Sequence, residues 1–287
     1  MSFVGGTVVS VVVDPERLVA GIIDDRGEVL VRDRVGTPSR DVWRSLEQLV
    51  GRVLAARPDD VAPPTAVGVS CAGPIDQAAG SVTPALVPAW SAFPLRDHLH
   101  GLTGLPVHLD SIAGAIATGE RWVGEAVDVP SFFLMVLDRS IESACVVDGR
   151  RLWGAHGNAG SLAHLNVEPG GAICSCGASG CLNAYASRSA LEAEMNRPMR
   201  RATPSIIDRT GIMVGRAIAS AAAVFDVGTF FLAGAVVDTF GDPFLETVHR
   251  EVASRSRLSH LAGLRVVELS GFNQPLVSAA AVAIRAE

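Results

Sequence analysis

His164-Leu165-Asn166-Val167-Glu168-Pro169-Gly170-Gly171-Ala172-Ile173-Cys174-Ser175-Cys176-Gly177-Ala178-Ser179-Gly180-Cys181 is the stretch that decides how this sequence folds. One imidazole and three thiols supply a complete tetrahedral shell for zinc, with no position left open for water or substrate. Gly177 and Gly180 let the backbone turn tightly around an ion. A closed shell is structural rather than catalytic; in small domains its apparent binding free energy is about 10–16 kcal/mol. The competing reading is a group of buried cysteines beside a coincidental histidine. The ligand types and the glycines favour zinc, held by His164, Cys174, Cys176 and Cys181. Cys71 and Cys145 lie outside the stretch and read as small core residues. Five cysteines, three of them clustered, suit a metal knuckle in a reducing cytosol better than a disulfide framework.

Upstream, three strand-like runs open the chain, Thr7–Val13, Leu18–Asp24 and Glu28–Val35, separated by turn-forming residues. A helix follows from an expected N-cap at Ser39, with Val42, Leu46, Leu49, Val50 and Val53 at helical spacing. Strands at Thr65–Val69 and Val107–Asp110 flank a short helix around Leu95–Leu102, and a further helix runs from about Ile112 to Trp122. After Pro130 the pattern restarts. Strands are expected at Phe132–Leu137, Ile141–Val147 and Leu165–Val167, then helices near Leu182–Met195 and Ile206–Phe225. Strand Thr229–Ala233, helix Asp242–Ser254, strand Leu264–Leu269 and helix Leu276–Ala286 complete the second block. Two blocks of meander followed by alternating helix and strand predict an α/β protein of two similar lobes with mixed sheets. The expected division is 1–112 with 272–287 for the first lobe and 113–271 for the second, the metal module being 164–181. A ligand cleft is expected where such lobes meet.

Composition narrows the chemistry. The 287 residues are 48% hydrophobic, enough to build a real core, and the net charge of −6 argues against a nucleic-acid backbone as partner. All 24 basic residues are arginine, so lysine Schiff bases and the lysine of a Gly-x-x-x-x-Gly-Lys phosphate loop are excluded. Met1–Gly6 lacks a basic leader, and Ile212–Val237 is interrupted by Arg216 and Asp226, so no secretory signal or membrane span is expected. A cytoplasmic protein with no membrane partner is the expectation. His98 and His100, two apart on a short helix, do not share a face and form no metal pair. Arg150-Arg151 and Arg200-Arg201 read as solvated surface pairs.

Gly160-Ser161-Leu162-Ala163-His164 followed by Cys-x-Cys-Gly-x-x-Gly-Cys resembles the zinc module of the ROK family, which groups bacterial sugar kinases with sugar-responsive repressors. Gly73-Pro74-Ile75-Asp76, Trp90 with Pro94-Leu95, Gly104-Leu105-Pro106-Val107 and Val147-Asp148-Gly149 fall in family order, so the likeness extends over nearly the whole chain. The resemblance implies a two-lobed actin-like ATPase (RNase H-like) fold, a tendency to form homodimers, and a sugar held between the lobes. A family repressor carries an added N-terminal DNA-binding module, and none is expected here.

The same resemblance marks departures. The family's Asp-x-Gly-Gly-Thr phosphate turn aligns with Val12-Val13-Asp14-Pro15-Glu16. Gly5-Gly6-Thr7 precedes the first strand, with Phe3 in place of the aspartate, and reads as a flexible entry to it. The Gly-Thr-Gly-x-Gly loop aligns with Asp138-Arg139-Ser140-Ile141-Glu142. Glycine matters there because the backbone must approach a phosphate and offer its amides. A carboxylate about 4 Å from a phosphate charge costs about 4 kcal/mol at an effective dielectric of about 20, roughly a thousandfold in affinity. The adenosine-side glycine pair reads Leu232-Ala233-Gly234-Ala235 and is half present. On the sugar side, Ile112 stands where the catalytic aspartate belongs. Ser161 replaces a sugar-binding glutamate, Asn183 stands for another, and Ala85 replaces an asparagine. Of the implied sugar contacts, His164 is kept.

Asp110 has two readings: a displaced catalytic base, or the N-cap of the following helix, which the register favours. The expectation is therefore a non-catalytic, degenerate sugar kinase that binds a small ligand such as a sugar derivative through Asp110, His164 and Asn183, or acts through protein contacts, with structural zinc and without ATP or magnesium. The alternatives are an ATP-dependent hexose or N-acetylhexosamine kinase using Asp110, and a dimeric scaffold with a vestigial cleft.

Overall fold

The structure, a computed structural model, describes residues 6–269 and 274–286. Gly5 and Phe3 lie outside the described residues. The chain divides into two units. One comprises Met1–Val129, Arg151–Ala159 and Asn273–Glu287, the other Pro130–Arg150 and Gly160–Phe272.

In the first unit β1 (Thr7–Val13), β2 (Arg17–Asp24) and β3 (Val29–Gly36) form an antiparallel meander; α1 (Val42–Ala55), β4 (Pro64–Cys71) and a small hairpin of β5 (Ile75–Asp76) and β6 (Ser81–Val82) follow. Next come α2 (Leu95–Thr103), β7 (Val107–Ser111) and α3 (Ile112–Val123). The sheet runs β3-β2-β1-β4-β7, with β4 parallel to both β1 and β7. Every residue of β1 is buried because layers cover both its faces. Val9, Val11 and Val13 meet α1 through Leu46, Leu49 and Val50. Val8 and Val12 meet Ala279, Ala280 and Ala283 of the chain's last helix, Pro275–Ile284. Each such buried valine contributes about 1.5 kcal/mol or more. That helix is rich in alanine for a steric reason: a side chain at Gly68 on β4 would collide with the Ala279 carbonyl.

The second unit repeats the plan. β8 (Phe132–Leu137), β9 (Ile141–Val147) and β10 (Arg150–Arg151), of which Arg151 already belongs to the first unit, open it; α4 (Asn183–Ala186), α5 (Arg188–Met195), α6 (Pro204–Phe225), β11 (Thr229–Ala233), α7 (Ala235–Arg255) and β12 (Arg265–Glu268) follow, and α8 is Pro275–Ile284 of the first unit. The order is β10-β9-β8-β11-β12, β8 antiparallel to β9 and parallel to β11. Phe133 stacks on Phe230 at 5.2 Å between ring centroids, and Phe132 meets Phe231 edge-on at 5.4 Å. Gly211 and Gly215 on α6 let α7 approach, since a Cβ at Gly215 would lie 2.6 Å from the Cβ of Glu251. Trp43, Trp90, Trp122 and Trp153 all belong to the first unit, whereas Tyr185 lies in the second.

Several expectations need correction. α1 begins after Asp41, in the left-handed region at φ 52°, rather than from a cap at Ser39. Leu165–Val167 forms no strand; Asn166 makes one isolated bridge to Cys181. The helix expected over Leu182–Met195 breaks at Ser187, whose hydroxyl donates to the Asn183 carbonyl and accepts from the Ala190 amide, ending one helix and capping the next. α7 begins at Ala235, ahead of the expected Asp242, and is interrupted at Gly241. The first unit extends to Val129 rather than 112, because α3 packs on α8, where Gly119 brings its backbone against Ser278.

Candidate functional site

The clearest site is the cysteine knuckle of the second unit. Its loop is closed by its own backbone. The Cys174 amide donates to the Ala178 carbonyl at 2.7 Å, Gly177 to Cys174 at 2.9 Å, and Val167 to Gly180 at 2.8 Å. Gly180 sits at φ 80°, where a side chain would run into the Glu168 carbonyl. This folding brings one donor atom from each of His164, Cys174, Cys176 and Cys181 within 4.8 Å of the others. His164 Nδ1 lies 3.7 Å from Cys174 Sγ, and the sulfurs of Cys176 and Cys181 are 3.8 Å apart. A tetrahedron with Zn–S bonds of about 2.3 Å has edges of about 3.8 Å. The residues fit a zinc ion.

Charge points the same way. Burial pushes the Cys181 thiol up to about 12, reinforced by its hydrogen bond with Cys176 and the charge of Cys174. Cys174, against its own burial, is lowered to about 7 by hydrogen bonds from Cys176, Ser175 and His164. Three thiols so close cannot all ionise without a cation, and a bound ion would remove that conflict. The loop is moored to helices as well. The Ala172 amide donates to Tyr185 Oη at 2.6 Å, and Arg216 on α6 grips the Val167 carbonyl and the Glu168 carboxylate.

The second feature is the turn between β8 and β9. Three of its amides are consumed by the protein. The Asp138 amide donates to Ser140, the Arg139 amide to Asp138 Oδ1 at 2.7 Å, and the Ile141 amide to Asn183 Oδ1 at 3.0 Å. From α5, the amides of Arg188 and Ser189 donate to the carbonyls of Asp138 and Arg139. Asn183, expected to touch a ligand, has its carbonyl oxygen committed to this turn. In the first unit the β1–β2 turn is built alike: the Asp14 amide donates to Arg17, and Asp14 Oδ1 accepts from the Glu16 amide at 2.8 Å.

The third feature is Asp110, at the end of β7 and 1% exposed. It is not the N-cap of α3; Ser111 is, its hydroxyl accepting from the Gly114 amide. Asp110 Oδ1 accepts from the Ser111 amide at 2.7 Å, and its carboxyl lies over the first turn of α3, where any side chain at Gly114 would collide with it. Oδ2 faces Arg151 Nε at 3.6 Å, and the Arg151 side chain is 7% exposed. Arg151 was expected at the surface. Instead it is buried, with Nη1 donating to the Ala159 carbonyl at 3.2 Å and the guanidinium over Trp153. Strand alternation carried the missed signal, since two consecutive arginines on a strand point opposite ways and one must turn inward. Burial pushes the Asp110 carboxyl up to about 6, against the pull of Arg151 and the hydrogen bonds of Ser111. His98 and His100 turn to different carbonyls, those of Pro94 and Leu105. Among the described residues no helix is long and apolar enough to cross a membrane.

A sequence profile described as the ROK family matches residues 9–274. This chain belongs to the ROK family. Its knuckle matches, donor for donor, the zinc module that the resemblance implied, and its fold is the actin-like ATPase fold. A glucokinase of Halalkalibacterium halodurans is 32% identical over 165 residues, 56% of this ROK chain and 50% of that protein, so the match spans half the relative's length. A xylose repressor of Caldicellulosiruptor bescii is 25% identical over 272 residues, covering 84% of this chain and 68% of the repressor. The crystal structure of a ROK hexokinase from Thermus thermophilus superposes with a TM-score of 0.81 at 28% identity, covering 96% of this chain and 97% of that one.

Proposed function

We propose that this ROK protein is a ligand-binding member of its family that does not transfer phosphoryl groups. The observation that carries the reading is the β8–β9 turn, whose Asp138, Arg139 and Ile141 amides are taken by Ser140, Asp138 and Asn183. Phosphoryl transfer rests on positioning and on donors aimed at the phosphates. A turn that has spent those donors on the Ser140 carbonyl, its own carboxylate and Asn183 has little to offer a triphosphate. Ile112 at the start of α3 supplies no base, and Asp110 is sealed behind Arg151. The ligand this reading favours is a sugar derivative. His164 is exposed, and with Nδ1 turned to the metal position its other ring nitrogen remains to donate to a hydroxyl. The zinc site holds the fold, and a homodimer in the cytoplasm is the assembly the family favours.

A thermal-shift series on zinc-loaded protein tests this reading. The expected outcome is stabilisation by one or more sugars, none by millimolar Mg-ATP, and no ATP-dependent phosphorylation of any hexose in a coupled assay. Turnover at ordinary enzyme rates, a median of about 10 per second, refutes it.

One observation favours a second reading, that of a sugar kinase: a buried carboxyl raised to about 6 is tuned as general bases are. If Asp110 is a base, Asp110→Asn abolishes turnover with little change in KM. If it is the partner of Arg151, the same variant alters stability and has no turnover to lose.

A further inference from the structure

We infer that the ion in the cysteine knuckle sets the shape of the β8–β9 turn, and that Asn183 is the positioning residue that carries the effect. The inference does not depend on whether the protein transfers phosphate. It rests on a chain of hydrogen bonds leading from the metal donors to the turn. Cys181 is followed by Leu182 and Asn183, whose amides donate to the Leu165 carbonyl at 2.9 Å and the Ala163 carbonyl at 2.8 Å. Those carbonyls bracket His164, another donor. The two short segments that carry His164 and Cys181 are thus laced together on either side of the metal position, with the Asn166–Cys181 bridge completing the lacing.

Asn183 then faces the other way. Its Oδ1 accepts the Ile141 amide at 3.0 Å, and its main-chain carbonyl accepts the Ser187 hydroxyl at 2.7 Å. Ser187 caps α5, whose first two amides, of Arg188 and Ser189, hold the carbonyls of Asp138 and Arg139. The turn is therefore gripped at Asp138, Arg139 and Ile141 by a segment that begins two residues after a metal donor. No residue of that segment before Ser187 lies in a helix longer than four residues, so α4 alone cannot fix its position. A closed tetrahedral ion can, because it ties Cys181 to His164, Cys174 and Cys176 at once.

Amide hydrogen exchange on zinc-loaded and chelator-treated protein, kept reduced, tests the inference. Stripping zinc should speed exchange at Ile141 about tenfold, the factor that loss of one hydrogen bond of about 1.4 kcal/mol implies. Leu134 and Phe231, central in β8 and β11, should keep their protection. Asn183→Ala should leave zinc content unchanged, while Ile141 exchanges fast with or without the metal. Asn183→Asp, which keeps an acceptor oxygen, should restore both the protection and its response to zinc. Protection at Ile141 that ignores complete removal of zinc overturns the inference. So does an Asn183→Ala protein with Ile141 still protected. Loss of protection at Leu134 together with Ile141 also overturns it, since the ion would then hold the whole sheet rather than the turn. Should Asn183→Ala fail to fold, the chelation arm on the unaltered protein and Asn183→Asp decide the matter.

Discussion

Asp110 with Arg151 in the first unit, and the four donors of the knuckle in the second, are both ionisable clusters, the first withdrawn from water and the second burying Cys174 and Cys181 while His164 and Cys176 stay exposed. The first carries its own counter-charge; the second must take one from solution. Asp110 and Arg151 lie far apart in sequence and come together only when Arg151–Ala159 packs into the first unit. The knuckle donors are close neighbours along the chain but leave three crowded thiols with no cation of their own. The difference teaches where each unit is vulnerable: the first to loss of a single side chain, the second to loss of an ion.

The comparison can be broken most severely at Arg151. Arg151→Leu leaves a buried carboxylate without its partner and should destabilise the first unit by about 3–5 kcal/mol, whereas Asp110→Leu combined with Arg151→Leu should return to near the original stability. Denaturant midpoints followed by tryptophan fluorescence measure both, and a double variant no better than the single ones would show that the pair is not what holds this region. The second unit offers the next largest effect. Free zinc at about a hundred times its dissociation constant should stabilise that unit by about 2.7 kcal/mol. The tryptophan-detected transition of the first unit should not move. A shift of equal size in both transitions would erase the distinction.

The smallest effect sharpens the contrast. Folding raises the Asp110 carboxyl from the usual 3.8 to about 6, so the folded chain holds that proton more tightly than the unfolded one. Stability from this group is therefore greatest at low pH and is lost as pH rises through about 6. Between about pH 7 and about pH 5 the unaltered protein should gain about 1.3 kcal/mol relative to Asp110→Asn. Paired denaturant midpoints at the two pH values give the difference, and a change of the opposite sign would mean that Arg151 outweighs the cost of burial.

How much was legible follows the same divide. β1, β8 and β9 announced themselves as apolar runs, and the knuckle as local chemistry, because the partners of each lie nearby in the chain. The cap expected at Asp110 falls one residue later, because Asp110 is buried in an ion pair with Arg151 and the Ser111 hydroxyl takes the Gly114 amide. The break at Ser187 carries no glycine or proline to mark it, since a hydroxyl that serves two helices makes it. Arg151 was misplaced because its partner is remote. The Ile141 amide of the β8–β9 turn is committed to Asn183, which no spacing rule links to it.

The placement of aromatic residues has an optical consequence. With Trp43, Trp90, Trp122 and Trp153 confined to one unit and Tyr185 to the other, light absorbed by indole alone interrogates half the molecule and leaves the metal-bearing half dark. A single cuvette then holds two independent gauges: emission for one half, and the circular dichroism that emission does not explain for the other.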